Sequence, residues 1–377
     1  MLVKDLTFDE KKDWIRLSRT ENVGPVTFKT LLSVYGTPKN ALKNLPDFAK
    51  RGGRKKPLVI PDEGQICAEM EKVEELNGTM LCFCETDFPS LLRRISDCPM
   101  VLTVLGDKML LRKKMVALVG TRNATLNGKN LARKFALDFA MQDYVVVSGM
   151  AKGIDTAAHT GALDAPPDKG GTIAVLGTGP DVIYPLENEK LYRALTIKGA
   201  VVSELPLGAK PFAGQFPRRN RIISGMSRAT VVIEAQPNSG SLITADLARS
   251  QGKDVFAVPG FPSDPRSQGT NQLIKEGKAQ LTESASDVIE RIDSSFSKVL
   301  RDSEQLEIIF PQILAEEGEL AVIRSAVKEN LSGEPVFIDD LAREIGATSD
   351  ALGIVLSEME LADRLVRYAG NRVALVM

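Results

Sequence analysis

One segment of the chain carries a concentrated set of cationic side chains. Residues 205–233 contain no Asp or Glu, yet they include five Lys and Arg residues, and Arg218, Arg219, Asn220 and Arg221 follow one another directly. A guanidinium can grip a phosphate through two hydrogen bonds, and an Asn amide can both donate to and accept from a base edge. The segment therefore indicates either a loop that binds a polyanion or an ordinary solvated basic turn.

Further candidate ligand groups follow short apolar runs elsewhere in the middle of the chain. Glycine allows a backbone to approach a ligand closely, and the N-terminus of a following helix directs unsatisfied N–H groups at an anion. Together with the basic cluster, these segments predict a site for an anionic ligand. The candidates outside the basic cluster are Gly120, Thr121, Arg122, Ser148, Gly149, Lys152, Ser239, Gly240 and Ser241.

The elements that would position these residues alternate between strands and helices. Apolar runs predict strands at 101–105, 116–119, 145–147, 172–176, 200–203, 229–233 and 255–258, and helical patterns fall at 129–141, 156–163, 187–197 and 242–250. This alternation predicts an α/β fold with a doubly wound, mostly parallel sheet that is covered on both faces. Ligands bind beyond the carboxyl ends of the strands in such sheets, which is where the glycine-containing segments fall.

Two smaller domains are expected beside the sheet. Short helical patterns joined by a Gly24-Pro25 turn predict a helical domain over residues 1–77; such a turn can direct N–H groups at a phosphate, as in helix-hairpin-helix modules, or be an ordinary turn. The sheet domain is expected at 78–293 and a polar linker at 294–312. Three helical patterns and a hairpin with its turn at Gly370 and Asn371 predict a winged-helix-like domain at 313–377.

The charge distribution separates the middle of the chain from its tail. Residues 298–377 carry 8 basic and 15 acidic side chains, whereas residues 76–297 carry 26 basic and 22 acidic ones. Because neutralising phosphates releases counterions, a polyanion should prefer the middle. For the C-terminal domain, the acidic charge favours a protein-contact or regulatory role over the reading of a DNA groove.

Common catalytic and cofactor sites are not indicated. The chain lacks both GxGxxG and GxxxxGK[ST], so neither a dinucleotide nor a P-loop phosphate site is predicted. His159 is the only histidine; it falls in the first turn of a helical pattern, where a packing or capping role is expected, and Asp155 is expected as the N-cap of that helix. We expect no catalytic residue, no cofactor and no metal site.

The cysteines and the hydropathy pattern indicate a compartment. The four cysteines form no CxxC pair, which favours buried thiols in a reducing cytoplasm. No apolar run reaches the roughly 20 residues that a membrane helix needs, and no signal peptide is evident. The expectation is a soluble, cytoplasmic protein without a membrane partner.

A series of motifs recurs in order along the centre of the chain: VGTR (119–122), SGMAKGID (148–155), AVLG (174–177) with YP (184–185), SELP (203–206), FPRRNRIIS (216–224), SGSLITA (239–245) and AVPG (257–260). Over residues 84–291 this order resembles the bacterial DNA-processing protein family known as DprA or Smf. The flanks resemble the family's sterile-alpha-motif-like N-terminal domain and its winged-helix C-terminal domain. The resemblance implies an extended Rossmann-like domain that binds single-stranded DNA, forms a homodimer and helps to load the RecA recombinase during natural transformation.

The resemblance also assigns individual residues. By position, Arg122 matches the arginine of the family's GSR motif, and Asn220 and Arg221 match its RNR motif, both of which face the DNA pocket. Thr121 replaces the usual serine and keeps the hydroxyl. Asn127 stands where the family often has tyrosine, which removes a possible stacking ring.

Two functional hypotheses follow. In the first, the protein is a non-enzymatic binder of single strands: the arginines at 122, 218, 219 and 221 hold phosphates, Asn220 contacts a base, and Phe216 and Phe212 stack on bases or belong to the core. In the alternative, it is a nucleotide-binding enzyme, since the sheet domain also resembles the lysine-decarboxylase-like nucleoside-monophosphate hydrolases. Their PGGxGTxxE loop carries a glutamate in the site, and Thr244 stands in that place here. A pure interaction scaffold would leave the arginines without a purpose.

Overall fold

The computed structural model describes residues 4–299, 310, 312–313, 315–368 and 370–376. The chain forms two compact units. The sheet unit comprises residues 69–306, and the terminal unit combines residues 1–68 with residues 307–377. Among the described helices, none is both long enough and apolar enough to cross a membrane.

The helices of the described chain are α1 (Phe8–Ser18), α2 (Pro25–Tyr35), α3 (Pro38–Arg51), α4 (Glu63–Glu75), α5 (Ser90–Arg93), α6 (Leu126–Met141), α7 (Ile154–Leu163), α8 (Glu189–Lys198), α9 (Gln215–Met226), α10 (Gly240–Ser250), α11 (Pro265–Lys275), α12 (Ala285–Val299), α13 (Glu317–Asn330), α14 (Ile338–Ile345) and α15 (Ser349–Leu361). The strands are β1 (Gly78–Cys82), β2 (Val101–Gly106), β3 (Lys114–Val119), β4 (Tyr144–Ser148), β5 (Gly171–Val175), β6 (Ala200–Ser203), β7 (Ala229–Val232), β8 (Asp254–Ala257), β9 (Gln280–Leu281), β10 (Val336–Phe337), β11 (Leu365–Tyr368) and β12 (Arg372–Leu375).

The sheet unit is built on nine strands in the order β1-β2-β6-β5-β4-β3-β7-β8-β9. Strands β3 to β9 run parallel, whereas β2 is antiparallel to both β1 and β6. From β3 the chain winds outward through β4, β5 and β6, and it later returns to the other side of β3 with β7. The predicted doubly wound, mostly parallel sheet is therefore confirmed, and its topological switch point lies between β3 and β7.

The principal core of this unit lies between the sheet and helices α6, α7 and α12. Phe135, Phe139 and Tyr144 are almost completely buried there, and their rings pack in sequence with centroid separations of 6.1 and 6.4 Å. Burial of each large apolar side chain stabilises the fold by about 1.5–3 kcal/mol. This rigid layer fixes the loops that leave the carboxyl ends of the strands.

The terminal unit contains the predicted N-terminal helices and the winged-helix fold. Helices α1 to α3 enclose Trp14 and Phe28, whose ring centroids are 5.0 Å apart. Helix α2 begins at Pro25, the second residue of the expected turn, and Gly24 is its N-cap. Helices α13, α14 and α15 are followed by the β11–β12 hairpin, which pairs with β10. The hairpin turn contains Gly370 and Asn371, as predicted, and the structure gives both residues a positive φ.

The linker expected at 294–312 is only partly described. Helix α12 continues to Val299, so the first six of those residues are helical. Residues 300–309 and 311 lie outside the described residues. The expected domain limits at 77, 293 and 312 stay predictions.

Candidate nucleic-acid interface

The carboxyl edge of the parallel strands gathers the loops that the motifs predicted. The loop after β3 carries Arg122, the loop after β4 carries Lys152, and the segment after β7 leads through Ser239 and Gly240 into α10. Arg122 and the β7 loop therefore flank the switch point, where open α/β sheets bind their ligands.

The basic cluster lies in a helix rather than in a loop. Residues 218–221 belong to α9, and successive residues of a helix point in directions about 100° apart. Arg218 is exposed, whereas Arg219 and Arg221 are each only 6% exposed. The four side chains therefore cannot all face one ligand, which corrects the expectation of a single cationic loop.

Arg219 serves as an internal support. Its Nη1 donates to the carbonyl oxygen of Gly149 at 2.7 Å and to that of Val175, and its Nε donates to Oδ1 of Asn220 at 3.0 Å. Burial lowers the pKa of Arg219 to about 10, so the side chain stays charged at neutral pH. Since Nη1 is held by carbonyls at the ends of β4 and β5 and Nε is held by Asn220, this buried side chain does not fit the expected phosphate contact.

Arg221 is buried against two carboxylates. Its Nη2 donates to Oε2 of Glu204 at 2.5 Å, and its Nε lies 3.3 Å from Oδ2 of Asp97. Burial alone would lower the pKa of Arg221, but the two carboxylates outweigh it and raise the pKa above its usual value. The charge that the motif was expected to offer to DNA is thus neutralised within the protein.

Exposed cations and aromatic rings remain at the same edge. The guanidinium carbon of Arg122 lies 5.7 Å from the centroid of the Phe216 ring, and that ring lies 5.5 Å from the ring of Tyr184 at an interplanar angle of 33°. We call Arg122, Phe216 and Tyr184 the stacking row. Tyr184 is 41% exposed, and Arg218 and Lys152 are also exposed. Such a row suits a nucleobase face because base–aromatic stacking and cation–π attraction act together on it.

Lys152 forms a solvent-exposed ion pair. Its ammonium group contacts the carboxylate of Glu187, and both side chains are more than half exposed. An ion pair so exposed to water contributes little to stability. A phosphate could therefore replace Glu187 as the partner of Lys152 at small cost.

Several predicted contact residues serve the scaffold instead. Ser148 is fully buried and donates to the Leu118 carbonyl at 2.7 Å, and a Cβ at Gly149 would collide with the Arg219 guanidinium. A Cβ at Gly120 would lie 2.5 Å from Cγ1 of Ile154, so this glycine is required by packing.

The start of α6 and the start of α10 differ in what they offer a ligand. Thr121 is 7% exposed, and its hydroxyl accepts from the Asn123 amide at 3.2 Å, which closes the turn before α6. Gly240 is exposed, and its carbonyl oxygen accepts a hydrogen bond from Nδ2 of the Asn220 side chain at 3.3 Å. The hydroxyls of Ser239 and Ser241 are 2.8 Å apart, and Ser241 is buried. Asn220, Ser239 and Gly240 are thus brought together beside the switch point.

The usual nucleotide position of this fold is closed by an internal carboxylate. In dinucleotide-binding sheets, the first helix directs its N-terminus at a phosphate. Here Glu234 occupies the corresponding end of α6: its carboxylate accepts from the Thr125 amide at 3.0 Å and from the Thr125 hydroxyl at 2.6 Å. A Cβ at Gly128 would lie within 2.6 Å of that carboxylate. The donors of Thr125 at the start of α6 are thus bound by a carboxylate of the chain itself.

His159 and Asp155 belong to a buried polar network. Nε2 of His159 accepts from the Met150 amide at 3.3 Å, and Nδ1 lies 2.7 Å from the Thr172 hydroxyl, which itself donates to Val146. Burial, with a smaller contribution from Arg219, lowers the pKa of His159 to about 3, so the ring is neutral. The predicted packing role of His159 fits this arrangement. Asp155 differs from its expected role: Gly153 is the N-cap of α7, and the Asp155 carboxylate accepts from amides of the preceding loop.

Some residues of the site were not predicted from the sequence. Tyr184 and Glu234 follow strands β5 and β7, and the motif series already contained Tyr184 without assigning it a role. The burial of Arg219 did have a signal, because residues 219, 222, 223 and 226 form an i, i+3, i+4, i+7 stripe in which the other members are apolar. In the described part of the chain, no group of His, Cys, Asp and Glu side chains could hold a metal ion.

Comparisons with known proteins agree across the chain. The family profile described as DNA recombination-mediator protein A matches residues 79–293, and profiles for a DprA-like N-terminal helix-hairpin-helix domain and a DprA winged-helix domain match residues 9–71 and 315–371. The DNA processing protein DprA of Streptococcus pneumoniae is 38% identical over 261 residues, which cover 68% of this chain and 89% of that protein. Protein Smf of Escherichia coli is 37% identical over 300 residues, or 76% of this chain and 75% of that one.

Two solved structures extend this similarity. The X-ray structure of DprA from Streptococcus pneumoniae has a TM-score of 0.61 and 33% identity, covering 76% of this chain and 98% of that one. A Helicobacter pylori DNA processing protein A, whose structure is reported for its single-stranded DNA binding mode, has a TM-score of 0.50 and 29% identity, covering 60% of this chain and 97% of that one. Sequence motifs, sheet topology and domain profiles agree, and the chain belongs to the DprA/Smf family of DNA-processing proteins.

Proposed function

We propose that this protein is a non-enzymatic recombination mediator that binds single-stranded DNA, protects it and loads RecA recombinase onto it during natural transformation. The observation that carries the proposal is the stacking row, in which Arg122, Phe216 and Tyr184 lie at the carboxyl edge of the sheet. Exposed cations are found at the same edge, with Arg218 on α9 and Lys152 in the loop after β4. The single-stranded DNA binding reported for the Helicobacter pylori relative supports it.

Different exposed side chains would bind different parts of the DNA strand. Arg122, Arg218 and Lys152 would hold phosphates, which all strands share, so the site would tolerate any sequence. Phe216 and Tyr184 would stack on bases, which duplex DNA does not present because its bases are already stacked. Preference for single strands follows from this second requirement.

The buried arginines would act through the scaffold. Arg219 ties the loops after β4 and β5 to α9, and Arg221 ties α9 to Glu204 and Asp97. They would set the position of Arg218 and Asn220, which lie on the same helix. We therefore assign Arg219 and Arg221 as positioning residues, with no phosphate contact of their own.

The alternative of a nucleotide-processing enzyme has weaker support. Glu234 occupies the end of α6 where this fold would hold a nucleotide phosphate, and Thr244, which stands in place of the hydrolases' glutamate, is buried with its hydroxyl directed to the Gly240 carbonyl. His159, neutral and fully buried, offers no general base to a ligand. A homodimer, RecA as partner and action in the cytoplasm are proposed from family membership.

Fluorescence anisotropy tests the binding proposal. A labelled single strand, the same strand as a duplex, and an abasic strand of equal length are titrated with the full chain across a salt series. We expect the single strand to bind most tightly, the abasic strand more weakly, and Arg122→Ala to weaken binding and lower the salt dependence by about one phosphate contact. Arg193→Ala, an exposed arginine paired with Glu189 on α8, serves as the matched control. Equal binding of all three probes would contradict the proposal.

RecA loading needs its own assay. RecA ATPase activity is measured on single strands already covered by a single-strand-binding protein. We expect the full chain to shorten the lag before RecA activity and Arg122→Ala to shorten it less. A lag that is unchanged by the wild-type protein would refute loading while leaving single-strand binding intact.

A further inference from the structure

Helix α15 holds the position that enters the major groove when a winged-helix or related helix-turn-helix domain reads duplex DNA. Nine of its thirteen residues are buried. It contains no Lys or Arg, and its three ionisable residues, Asp350, Glu358 and Glu360, are all acidic. A helix that enters a DNA groove needs positive charge toward the phosphates, and α15 has none.

The apolar surface of α15 packs on the N-terminal helices α2 and α3 within the terminal unit. The backbones approach closely at Gly52, just after α3, where a Cβ would lie 1.9 Å from the carbonyl oxygen of Glu358. The φ of Gly52 is −66°, which any residue can adopt. Glycine is therefore required there by the contact with α15 and not by the local backbone.

A buried carboxylate fixes the register of the contact. Glu358 is 0% exposed; its Oε1 accepts from Nε of Arg51 at 2.7 Å, and its Oε2 accepts from Nε of Arg324 at 2.9 Å. Arg51 belongs to α3 and Arg324 to α13. Because a buried carboxylate left without its partners is strongly destabilising, this arrangement selects one docked position.

Polar contacts surround the apolar centre. Thr27 donates to Glu360 at 2.5 Å, and the hydroxyls of Thr30 and Ser357 are 3.2 Å apart. Arg54 donates to the Leu361 carbonyl at 2.8 Å. An apolar centre with a hydrogen-bonded rim is the usual anatomy of a specific protein–protein interface.

The contact also reaches the Gly24-Pro25 turn. Asp363, two residues beyond α15, accepts from the side chain of Asn22 at 2.5 Å and from Arg54 at 2.7 Å. Asp363 thus engages the side chains of Asn22 and Arg54 beside this turn. In the docked state these donors are held by the protein and are not offered to the phosphate contact that the turn was expected to make.

We propose that the winged-helix domain is a protein-docking module: its third helix recognises the chain's own N-terminal helices and does not read duplex DNA. The acidic charge of α15, its burial, the Gly52 contact and the Glu358 ion pairs all follow from this role. The two terminal domains then act as one body during DNA processing.

Hydrogen exchange on the full chain tests this proposal. In the wild type we expect residues 349–361 to be protected, and a duplex oligonucleotide to add no protection there. Gly52→Leu inserts a side chain into the contact and should increase exchange about tenfold in both 349–361 and 38–51, while the β-strands of the sheet unit stay unchanged. Gly353→Ala is the matched control, because its Cβ would meet open space and should not accelerate exchange.

A second set of variants covers the case in which Gly52→Leu disrupts the terminal unit altogether. Arg51→Met and Glu358→Gln are made singly and together, and the opening of 349–361 is compared. We expect the increase in the exchange rate of residues 349–361 in the double variant to be smaller than the product of the two single increases, since both substitutions remove the same contact. The proposal would be overturned if the effects of the two single variants multiply in the double variant, or if duplex DNA protects residues 349–361. It would also be overturned if these residues exchange rapidly in the wild type, or if a folded Gly52→Leu variant exchanges as the wild type does.

Discussion

The most informative perturbation separates two arginines, Arg122 and Arg221, that the family motifs both assign to the DNA pocket. From sequence similarity alone, Arg122→Ala and Arg221→Ala should both weaken single-strand binding and both flatten its salt dependence. The structure predicts different outcomes, because Arg122 is exposed in the stacking row and Arg221 is buried against Glu204 and Asp97. Arg122→Ala should change binding, and Arg221→Ala should chiefly change stability.

The size of the stability effect follows from burial. Removing one partner of a fully buried ion pair costs about 3–5 kcal/mol. The side chain of Arg221 is 7% exposed, but those of Glu204 and Asp97 are 20% and 46% exposed, so water compensates part of the loss and we expect about 2–3 kcal/mol. For a unit of this size, that lowers the melting temperature by roughly 4–12 °C. Arg122→Ala, at the surface, should change stability by about 0.5 kcal/mol or less.

The assay combines differential scanning fluorimetry with anisotropy below the melting transition of every variant. We expect Arg122→Ala to lower the slope of log K against log salt by about 0.7, the value for one phosphate of a single strand, at an unchanged melting temperature. Arg221→Ala should lower the melting temperature and keep the slope. Arg221→Met combined with Glu204→Gln should recover part of the stability, because the unpaired carboxylate is removed. A flattened slope with an unchanged melting temperature in Arg221→Ala would refute the assignment.

Three further outcomes are expected. Tyr184→Leu should weaken binding of a single strand by the equivalent of about 1–3 kcal/mol but leave binding of an abasic strand unchanged in anisotropy, since only base stacking is lost; an equal loss on both strands would contradict the stacking role. Gly128→Ala should lower the melting temperature, because its Cβ would displace the Glu234 carboxylate from the start of α6, and thermal denaturation of Gly128→Ala beside Gly240→Ala, where a Cβ meets open space, tests this. His159 has a folded pKa of about 3 against an ordinary value of 6.5, so the unfolded chain binds its proton first as pH falls, and stability should decline by up to about 1.4 kcal/mol per pH unit between about pH 6.5 and 3. Melting curves across that range should show a smaller decline for His159→Gln, and an identical decline would exclude this histidine as the cause.

Seven of the nine strands of the sheet unit were predictable, but the two antiparallel pairings of β2 were not. Continuous apolar runs are typical of strands buried on both faces, and each of the seven predicted runs coincides with one of the strands β2 to β8. An apolar run, however, does not indicate which strand it pairs with or in which direction. The antiparallel orientation of β2 next to β6 is therefore known only from the structure. The short β9 has too few residues to produce a pattern.

The site shows the same division between local and non-local information. Arg122 and Arg218 could be identified because a charged residue beside glycines or in a basic cluster is visible in the sequence. The partners of Arg219 and Arg221 lie up to 124 positions away, at Asp97, Gly149, Val175 and Glu204, and only the folded chain brings them together. Composition predicted where positive charge is concentrated, but not which of those charges are already neutralised.

The terminal unit has a consequence for the order of events on the ribosome. Helices α2 and α3 leave the exit tunnel early, whereas α15, which covers them, is about 300 residues further along the chain. At about 5–20 residues per second, roughly 15–60 seconds pass before the covering helix is made, and the sheet unit can fold in that interval. The surface of α2 and α3 is therefore uncovered on every nascent chain during this interval. The α15 helix of a chain that is already finished could pair with α2 and α3 of a neighbouring nascent chain. The yield of correctly paired protein should thus depend on translation rate as well as on the stability of the finished fold.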